Sequence, residues 1–329
     1  MNQIAGARFL ITGGAGFVGS AITEQLLEAG ASEIRIIDNF IRGSWSNVKP
    51  AIDSGRVKVT EGDIRDTDLV DQLTGGVDYV FHQAALRITR CAEAPREAVE
   101  VLMTGSLNVL EAAVRHRVKK IVAASSASVY GEPSYLPMDE EHPFNNRTLY
   151  GAGKIACEQM LRAFCDMQGL PYVAFRYFNV YGPRMDITGV YTEVLIRWLN
   201  AIESGSPPLI FGDGRQSMDF VYVGDVARAN LLALQSDVSD VALNVGTGVE
   251  TSLNQLCDVL LKLSGSDLKP EYRPARATAN VSRRRASIEK AERLLGFRSG
   301  VALEEGLRRL IEWRNSSEVK MALAEAAKV

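Results

Sequence analysis

Short apolar runs alternate with amphipathic stretches along the first half of the chain. The apolar runs are rich in β-branched residues and predict strands at residues 8–12, 34–38, 57–60, 79–82 and 120–125. The amphipathic stretches carry apolar residues three and four positions apart and predict helices at residues 18–29, 69–73 and 95–115. Strands that alternate with helices in this way indicate a parallel sheet covered by helices on both faces.

The pattern loosens after residue 177, where proline, glycine and other turn residues become frequent between short helices and strands. We expect a sheet domain over residues 1–177 and a smaller α/β lobe over residues 178–315. Residues 223–248 have the pattern of a helix and a strand that return to the sheet domain, so the lobe is expected to be interleaved with the sheet. Residues 316–329 are expected to form a tail.

The composition argues against several classes of protein. The 329 residues include 37 Lys and Arg against 40 Asp and Glu, a net charge of −3, whereas nucleic-acid-binding proteins carry a basic excess. We expect no membrane span, because no apolar run reaches about 18 residues, and no secretion signal. The four cysteines lack C-x-x-C spacing and the three histidines lie far apart, which favours reduced thiols in a cytoplasmic protein and no metal site.

The strongest local signal is the sequence FLITGGAGFVG at residues 9–19. Its glycines fit G-x-G-x-x-G, and the motif follows a predicted strand and opens a predicted helix, the context in which such a loop binds a dinucleotide. The pyrophosphate then meets the positive end of the helix. Asp38, at the end of the second predicted strand, suits an adenosine ribose and repels a 2′-phosphate. The sequence therefore predicts a Rossmann-type, doubly wound domain that binds NAD rather than NADP.

Tyr150 and Lys154 are four residues apart at the start of a helical pattern that runs to about residue 165. Residues four apart share a helix face. A tyrosine is a poor base at its ordinary pKa of about 10, and a neighbouring ammonium group favours the phenolate and brings that pKa towards neutrality. Together with the glycine loop and the serine-rich segment SSASVYG at residues 125–131, the pair indicates an enzyme that removes a proton from a hydroxyl group.

Over roughly residues 7–313 the chain resembles the extended short-chain dehydrogenases/reductases, a group of NAD-dependent nucleotide-sugar epimerases, dehydratases and decarboxylases. The matching motifs are TGGAGFVG at 12–19, GDIRD at 62–66, HQAA at 82–85, SSASVYG at 125–131, RYFNVYGPR at 176–184, FGDGR at 211–215, DFVYV at 219–223 and NVG at 244–246. Within the group the chain is most similar to UDP-glucose and UDP-glucuronate 4-epimerases.

The resemblance implies a role for each matching residue. Tyr150 would accept the proton of a sugar hydroxyl, Lys154 would bind the nicotinamide ribose, and Ser126 would relay the proton. The implied cofactor contacts are Gly13, Gly16, Phe17, Val18, Gly19, Asp38, Asn39, Asp63, Ile64, Ala84, Ala85, Arg87, Tyr150, Lys154 and Tyr177. The implied substrate contacts are Ser126, Ser128, Tyr150, Asn179, Arg184, Leu209, Phe211, Arg215 and Arg276.

In these substrate contacts, Leu209 and Phe211 would lie beside the base, usually uracil. Asn179, Arg215 and one arginine of residues 273–285, with Arg276 as our choice, would hold the diphosphate. Arg184 lies in the segment 182–185, which resembles that of enzymes acting on UDP-glucuronate, where an arginine meets the C6 carboxylate. The same segment also occurs in relatives that act on neutral sugars, so both substrates stay open. The run Arg283–Arg285 fits a binding segment and a solvated basic face equally well.

The serine-rich segment discriminates between the reactions of the group. In the dehydratases an Asp-Glu pair, and in the decarboxylases a glutamate, stands where this chain has Ala127 and Ser128. Without an acid there, this segment offers no group for chemistry at C5, which favours 4-epimerisation with NAD recycled in place. A UDP-glucuronate decarboxylase is the alternative, and a non-catalytic NAD(H)-sensing regulator is the alternative of another class. The resemblance also implies a homodimer, formed by a four-helix contact of residues 95–115 and 150–165.

Overall fold

The computed structural model describes residues 3–187, 193–275, 281–317 and 319–320. The strands in these ranges are β1 (Arg8–Thr12), β2 (Glu33–Asp38), β3 (Val57–Glu61), β4 (Tyr79–His82), β5 (Lys120–Ser126), β6 (Tyr172–Tyr177), β7 (Asn179–Tyr181), β8 (Leu209–Phe211), β9 (Ser217–Met218), β10 (Phe220–Tyr222), β11 (Val241–Val245), β12 (Thr251–Ser252) and β13 (Glu271–Arg273).

The α-helices in the same ranges are α1 (Phe17–Glu28), α2 (Trp45–Ile52), α3 (Thr67–Thr74), α4 (Ile88–Glu93), α5 (Pro95–Val99), α6 (Ser106–Arg115), α7 (Leu149–Gln168), α8 (Val194–Glu203), α9 (Val223–Gln235), α10 (Leu253–Leu263), α11 (Glu289–Leu295) and α12 (Leu303–Arg314). None of them is long and apolar enough to cross a membrane.

Seven of the described strands form one sheet in the order β11-β6-β5-β4-β1-β2-β3, and every neighbouring pair is parallel. Apolar side chains cover both faces of this sheet, as a buried parallel sheet requires. The order reverses between β1 and β4, which creates a crevice at the carboxyl ends of these strands. The predicted Rossmann-type, doubly wound sheet is confirmed.

Two helical regions differ in detail from the prediction. The predicted helix 95–115 is interrupted between α5 and α6 by a wider π-helical stretch, Glu100–Gly105. Gly105 lies so close to Ile64 that an added Cβ would be 2.7 Å from the isoleucine side chain. The sequence pattern also did not predict α2, which contains Pro50.

The second half of the described chain divides its elements between the sheet and a separate apolar cluster. Helix α9 packs against α1, and β11 is the strand next to β6. Helices α8, α10 and α12 instead pack around a cluster that includes Trp198, Leu260 and Leu310. Three two-stranded sheets, β7/β10, β8/β13 and β9/β12, also lie in this half of the described chain. Of the predicted tail, only residues 316–317 and 319–320 lie within the described ranges.

Candidate active site

A cleft of about 800 Å³ opens at the carboxyl ends of β1, β2, β4 and β5. Most of the residues predicted to bind cofactor or substrate line it. They are Gly13, Gly16, Phe17, Val18, Gly19, Asp38, Asn39, Asp63, Ile64, Ala84, Ala85, Arg87, Ser126, Ser128, Tyr150, Lys154, Tyr177, Asn179 and Arg184. The folded chain thus brings these side chains together from strands β1–β7, the loops that follow them, and helices α1 and α7.

The glycines of the loop allow its backbone to pack closely against neighbouring backbone where a side chain would clash. Gly13 has a φ of +69°, and a Cβ on it would lie 2.8 Å from the Ala84 backbone. A Cβ on Gly19 would lie 2.3 Å from the Gly13 carbonyl oxygen, so helix α1 can pack this tightly against the loop only with glycine here. No side chain caps the first turn of α1, and its N–H groups are available to a pyrophosphate.

Asp38 organises this loop from the end of β2. Its carboxylate accepts a hydrogen bond from the Ala15 backbone N–H (3.0 Å) and another from Phe40 N–H (2.9 Å). Burial raises the pKa of Asp38, although the hydrogen bonds from the backbone partly oppose that rise. A carboxylate accepts about four hydrogen bonds in all, so Asp38 keeps capacity for the two hydroxyls of a ribose.

Asn39 and Asp63 form the next part of the cleft wall. The Asn39 side chain donates to Asp63 (3.0 Å), and Arg65 binds the same carboxylate through two nitrogens at 3.0 and 2.9 Å. Hydrogen bonding from Arg65 lowers the pKa of Asp63 to about 2. The carboxylate is therefore ionised and rigidly placed beside Ile64, where the edge of an adenine is expected.

The residues present fit a bound NAD: a glycine-rich loop, an uncapped helix start and a carboxylate suited to a ribose face one cleft. Ala84 and Ala85 follow β4 directly across from the loop. Tyr177 is buried, and its hydroxyl contacts Gln83 (3.2 Å) and Asn230 (2.9 Å). Burial raises the pKa of Tyr177, so it stays a neutral phenol in the wall of the cleft.

Tyr150 and Lys154 project together from the first turns of α7. The Lys154 ammonium lies 5.9 Å from the centre of the Tyr150 ring. Lys154 is buried and donates to the Ala124 carbonyl oxygen at 2.6 Å, which fixes its head group without neutralising its charge. Thr148 is the N-cap of this helix, since its hydroxyl oxygen accepts a hydrogen bond from Gly151 N–H.

Ser126 ends β5 on the same side of the cleft. Its hydroxyl oxygen accepts a hydrogen bond from Ser128 N–H at 3.1 Å, so its own proton remains available to a substrate. The short 3₁₀ turn that follows, Ala127–Val129, buries Ala127 and leaves Ser128 facing the cleft. No acid of this turn reaches the cleft, because residues 125–131 contain none.

A second cavity of about 870 Å³ adjoins the cleft and shares Asn179 with it. It is largely apolar, and Leu209, Phe211 and Trp198 are part of its wall. The Oδ1 atom of Asn179 is closed to solvent and has no hydrogen-bond partner among the described residues. An orphaned acceptor at the junction of two cavities indicates that a ligand supplies the missing donor.

Two arginines that were predicted to contact the substrate form ion pairs within the protein. Arg184 lines the cleft, but its guanidinium forms an ion pair with Glu24 of α1 at 3.2 Å, and its backbone φ is +72°. Arg215 lines neither cavity. Its side chain is 87% exposed and pairs with Asp213 of the same tight turn. Arg276 lies outside the described residues.

A group of charged side chains, of which only Arg87 was predicted as a cofactor contact, spans the cleft. Arg87 forms ion pairs with Asp186 (3.2 Å) and Glu193 (3.4 Å), and Arg42 lies 3.8 Å from Asp186. Arg197, one turn along α8 from Glu193, lines both cavities. These contacts join loops after β2 and β4 to the segment around α8, and no short motif in the sequence signals such a long-range pairing.

Comparison with known proteins agrees with this geometry. The family model described as "NAD dependent epimerase/dehydratase family" matches residues 9–246. A putative UDP-glucose 4-epimerase of Methanocaldococcus jannaschii is 38% identical over 94% of this chain and 98% of its own length. A UDP-N-acetyl-alpha-D-glucosaminuronate decarboxylase of Bacillus cytotoxicus is 32% identical over 93% of this chain and 97% of its own length.

Among solved structures, the UDP-glucose 4-epimerase of Thermotoga maritima with UDP-glucose superposes with a TM-score of 0.87. It is 34% identical and is matched over 93% of this chain and 98% of its own. The predicted resemblance and the predicted use of NAD are confirmed. The chain is an enzyme that belongs to the NAD-dependent epimerase/dehydratase family.

Proposed function

We propose that the protein is a 4-epimerase of a UDP-sugar, with Tyr150 as the base. The observation that carries this proposal is the meeting of Ser126, Tyr150 and Lys154 in the NAD cleft without an acid on the serine-rich turn. When bound, NAD supplies a hydride acceptor and donor for C4 of the sugar.

Each of the three residues has a distinct task in this proposal. Tyr150 removes the proton of the C4 hydroxyl, and the nearby Lys154 ammonium stabilises the phenolate. Ser126 hydrogen-bonds the same oxygen and holds it in line with Tyr150. The product of this half-reaction is a 4-keto sugar, which turns over and is reduced on its other face as Tyr150 returns the proton.

The two cavities divide the substrate between them. The apolar cavity beside Leu209 and Phe211 suits the flat uracil ring, since aromatic and aliphatic walls are typical of such pockets. Asn179 lies at the junction with the main cleft, where its side-chain N–H can donate to the diphosphate while its Oδ1 accepts from a hydroxyl of the ligand, and Arg197 also lines both cavities. The sugar then extends towards Tyr150.

The decarboxylase alternative is supported by the similarity to a sugar-acid decarboxylase, but it lacks an acid in the right place. The described acids that line the cleft are Asp38, Asp63, Glu93, Asp186 and Glu193, and none belongs to the turn beside Tyr150. A non-catalytic NAD(H) sensor is disfavoured because such a protein has no need of the Ser126, Tyr150 and Lys154 arrangement.

A panel of UDP-sugars, followed by ¹H NMR without added cofactor, tests the proposal. We expect conversion of a gluco-configured UDP-sugar into its galacto epimer. A pentose product with release of CO₂ would establish the decarboxylase instead, and a folded, NAD-bound protein that converts no sugar would favour the sensor.

We also propose a homodimer formed through helices α5, α6 and α7. Val99 of α5 is 42% exposed on the outward side of this helix group, an apolar residue in a position that a second copy would cover. Light scattering is expected to give twice the mass of the chain, and Val99→Glu is expected to shift it towards the monomer. A wild-type monomer at micromolar concentration would refute the proposal.

A further inference from the structure

Arg284 is the middle residue of three consecutive arginines, and it alone of the three lines the cleft. Arg283 binds Glu250 through its Nε at 2.9 Å, and Arg285 donates to the Gly248 carbonyl oxygen at 2.8 Å. The segment is held from both sides, since Arg284 N–H donates to Ser217 and Ser287 N–H donates to Met138. The position of Arg284 is thus fixed by backbone hydrogen bonds.

The Arg284 guanidinium is half-buried and lacks a counter-ion. Its Nε is closed to solvent without a hydrogen-bond partner, and it forms no ion pair with a described residue. Burial lowers the pKa of Arg284, and the negative charges of Glu132 and an ionised Tyr150 only partly oppose this. Glu132 itself is bound to the backbone N–H and the hydroxyl of Ser282. A half-buried cation whose Nε lacks an acceptor among the described residues is expected to bind an anionic ligand.

The place of Arg284 indicates which part of the substrate carries that anion. Arg284 lines the cleft that contains Tyr150 and Ser128, but it does not line the apolar cavity proposed for the base. Arg197 and Arg273 are the arginines of that second cavity. The anion that meets Arg284 therefore lies at the sugar end of the site, close to the oxygen that Tyr150 deprotonates.

On the pyranose of a nucleotide sugar, a carboxylate at C6 is an anion next to the C4 reaction centre. Its two oxygens match the planar fork of a guanidinium. Arg184, the residue that the sequence pattern favoured for this contact, is already paired with Glu24. We propose that Arg284 binds the C6 carboxylate and makes nucleotide hexuronates the preferred substrate class. This inference rests on the proposed 4-epimerase function.

The test compares UDP-glucuronate with UDP-glucose for wild-type protein and for Arg284→Gln. We expect wild type to prefer UDP-glucuronate in kcat/KM, and Arg284→Gln to lose about 10- to 100-fold on UDP-glucuronate, the effect of one hydrogen-bonded charge pair. Turnover of UDP-glucose is expected to stay within about threefold. Arg284→Lys keeps the charge but cannot form two parallel hydrogen bonds to a carboxylate. Its kcat/KM on UDP-glucuronate is therefore expected to lie between those of wild type and Arg284→Gln.

The matched control is Arg285→Gln, which removes the neighbouring guanidinium outside the cleft and is expected to leave both substrates unaffected. An equal loss on both substrates in Arg284→Gln would overturn the inference and assign Arg284 to the diphosphate. Wild-type turnover of UDP-glucose alone would also overturn it, while leaving the 4-epimerase proposal intact. Turnover of neither sugar by folded, NAD-bound protein would overturn both.

Discussion

The carboxylate of Glu158 accepts three hydrogen bonds from the guanidinium of Arg176, one from Nη2 at 2.7 Å and two from Nε at 3.0 and 3.2 Å. Both side chains are buried, at 5% and 6% exposure. Glu158 lies one helical turn after Lys154 on α7, and Ser125, next to Ser126, also donates to its carboxylate. The pair thus joins the helix that carries Tyr150 and Lys154 to strands β5 and β6.

Glu158→Gln should destabilise the protein by about 3 kcal/mol, because it leaves the Arg176 guanidinium buried without its counter-charge. Urea unfolding at pH 7.5 measures the loss. The double variant Glu158→Gln/Arg176→Met should be more stable than Glu158→Gln alone, since it removes the unpaired charge as well. A loss below about 1 kcal/mol in the single variant would mean that the ion pair does not hold α7 in place.

Tyr150→Phe should lower kcat by at least about 100-fold, because general-base catalysis contributes factors of about 10² to 10⁴. The NAD content of the purified protein should be unchanged, since the ring remains in the cleft wall. Tyr135→Phe is the control, because its hydroxyl donates to Asp139 at the surface, away from the cleft. Full activity of Tyr150→Phe would remove this residue from the mechanism.

Asp38→Asn should weaken NAD binding and shift the preference between NAD and NADP by about tenfold towards NADP. The amide keeps one acceptor for the loop but loses the charge that repels a 2′-phosphate. Calorimetric titration of cofactor-free protein with each dinucleotide measures the ratio. Glu61→Gln, an exposed acid at the end of the neighbouring strand β3, should leave the ratio unchanged. An unchanged ratio in Asp38→Asn would place the ribose elsewhere.

His82 should make the fold sensitive to acid. It is buried between the hydroxyls of Thr12 (2.7 Å) and Ser106 (3.0 Å), and burial lowers its pKa to about 3. An unfolded histidine takes up a proton near pH 6.5, so the unfolded state binds more protons between pH 6.5 and 3, and stability falls as the pH drops through this window.

Between pH 6.5 and 5 this single proton should cost about 2 kcal/mol of unfolding free energy, at about 1.4 kcal/mol per pH unit. His82→Gln should remove this contribution to the slope of unfolding free energy against pH, whatever it does to the stability at neutral pH. His116→Gln, which alters a partly exposed histidine beside Asp71, is the control. Parallel slopes for wild type and His82→Gln would show that His82 is not the group that titrates.

The sequence predicted best those features that depend on local spacing. The glycine loop, Asp38 at the end of β2 and the Tyr150/Lys154 pair each lie within one strand–turn–helix unit, where the period of the pattern fixes which side chains meet. The parallel sheet with helices on both faces followed from strand–helix alternation. The ends of α1 and α7 were predicted to within about three residues for the same reason.

The arginines of the second half were harder to predict, because their direction depends on tertiary register. Arg284 faces the cleft and Arg283 faces Glu250 only because their segment is held between Ser217 and Met138, residues far away in the chain. Arg215 fits a binding motif, but two glycines with positive φ on either side of Asp213 form a turn that directs it into solvent. No local pattern distinguishes these cases.

The central claim is that hydride leaves C4 and returns to C4 while Tyr150 moves the hydroxyl proton. The most direct measurement follows UDP-glucose and UDP-glucuronate, each deuterated at C4, by NMR with purified protein and no added cofactor. We predict a C4 epimer of one or both sugars that keeps the deuterium at C4 and, in ²H₂O, takes up no solvent deuterium at C5. Loss of the C4 label to solvent, or solvent deuterium at C5, would contradict the claim.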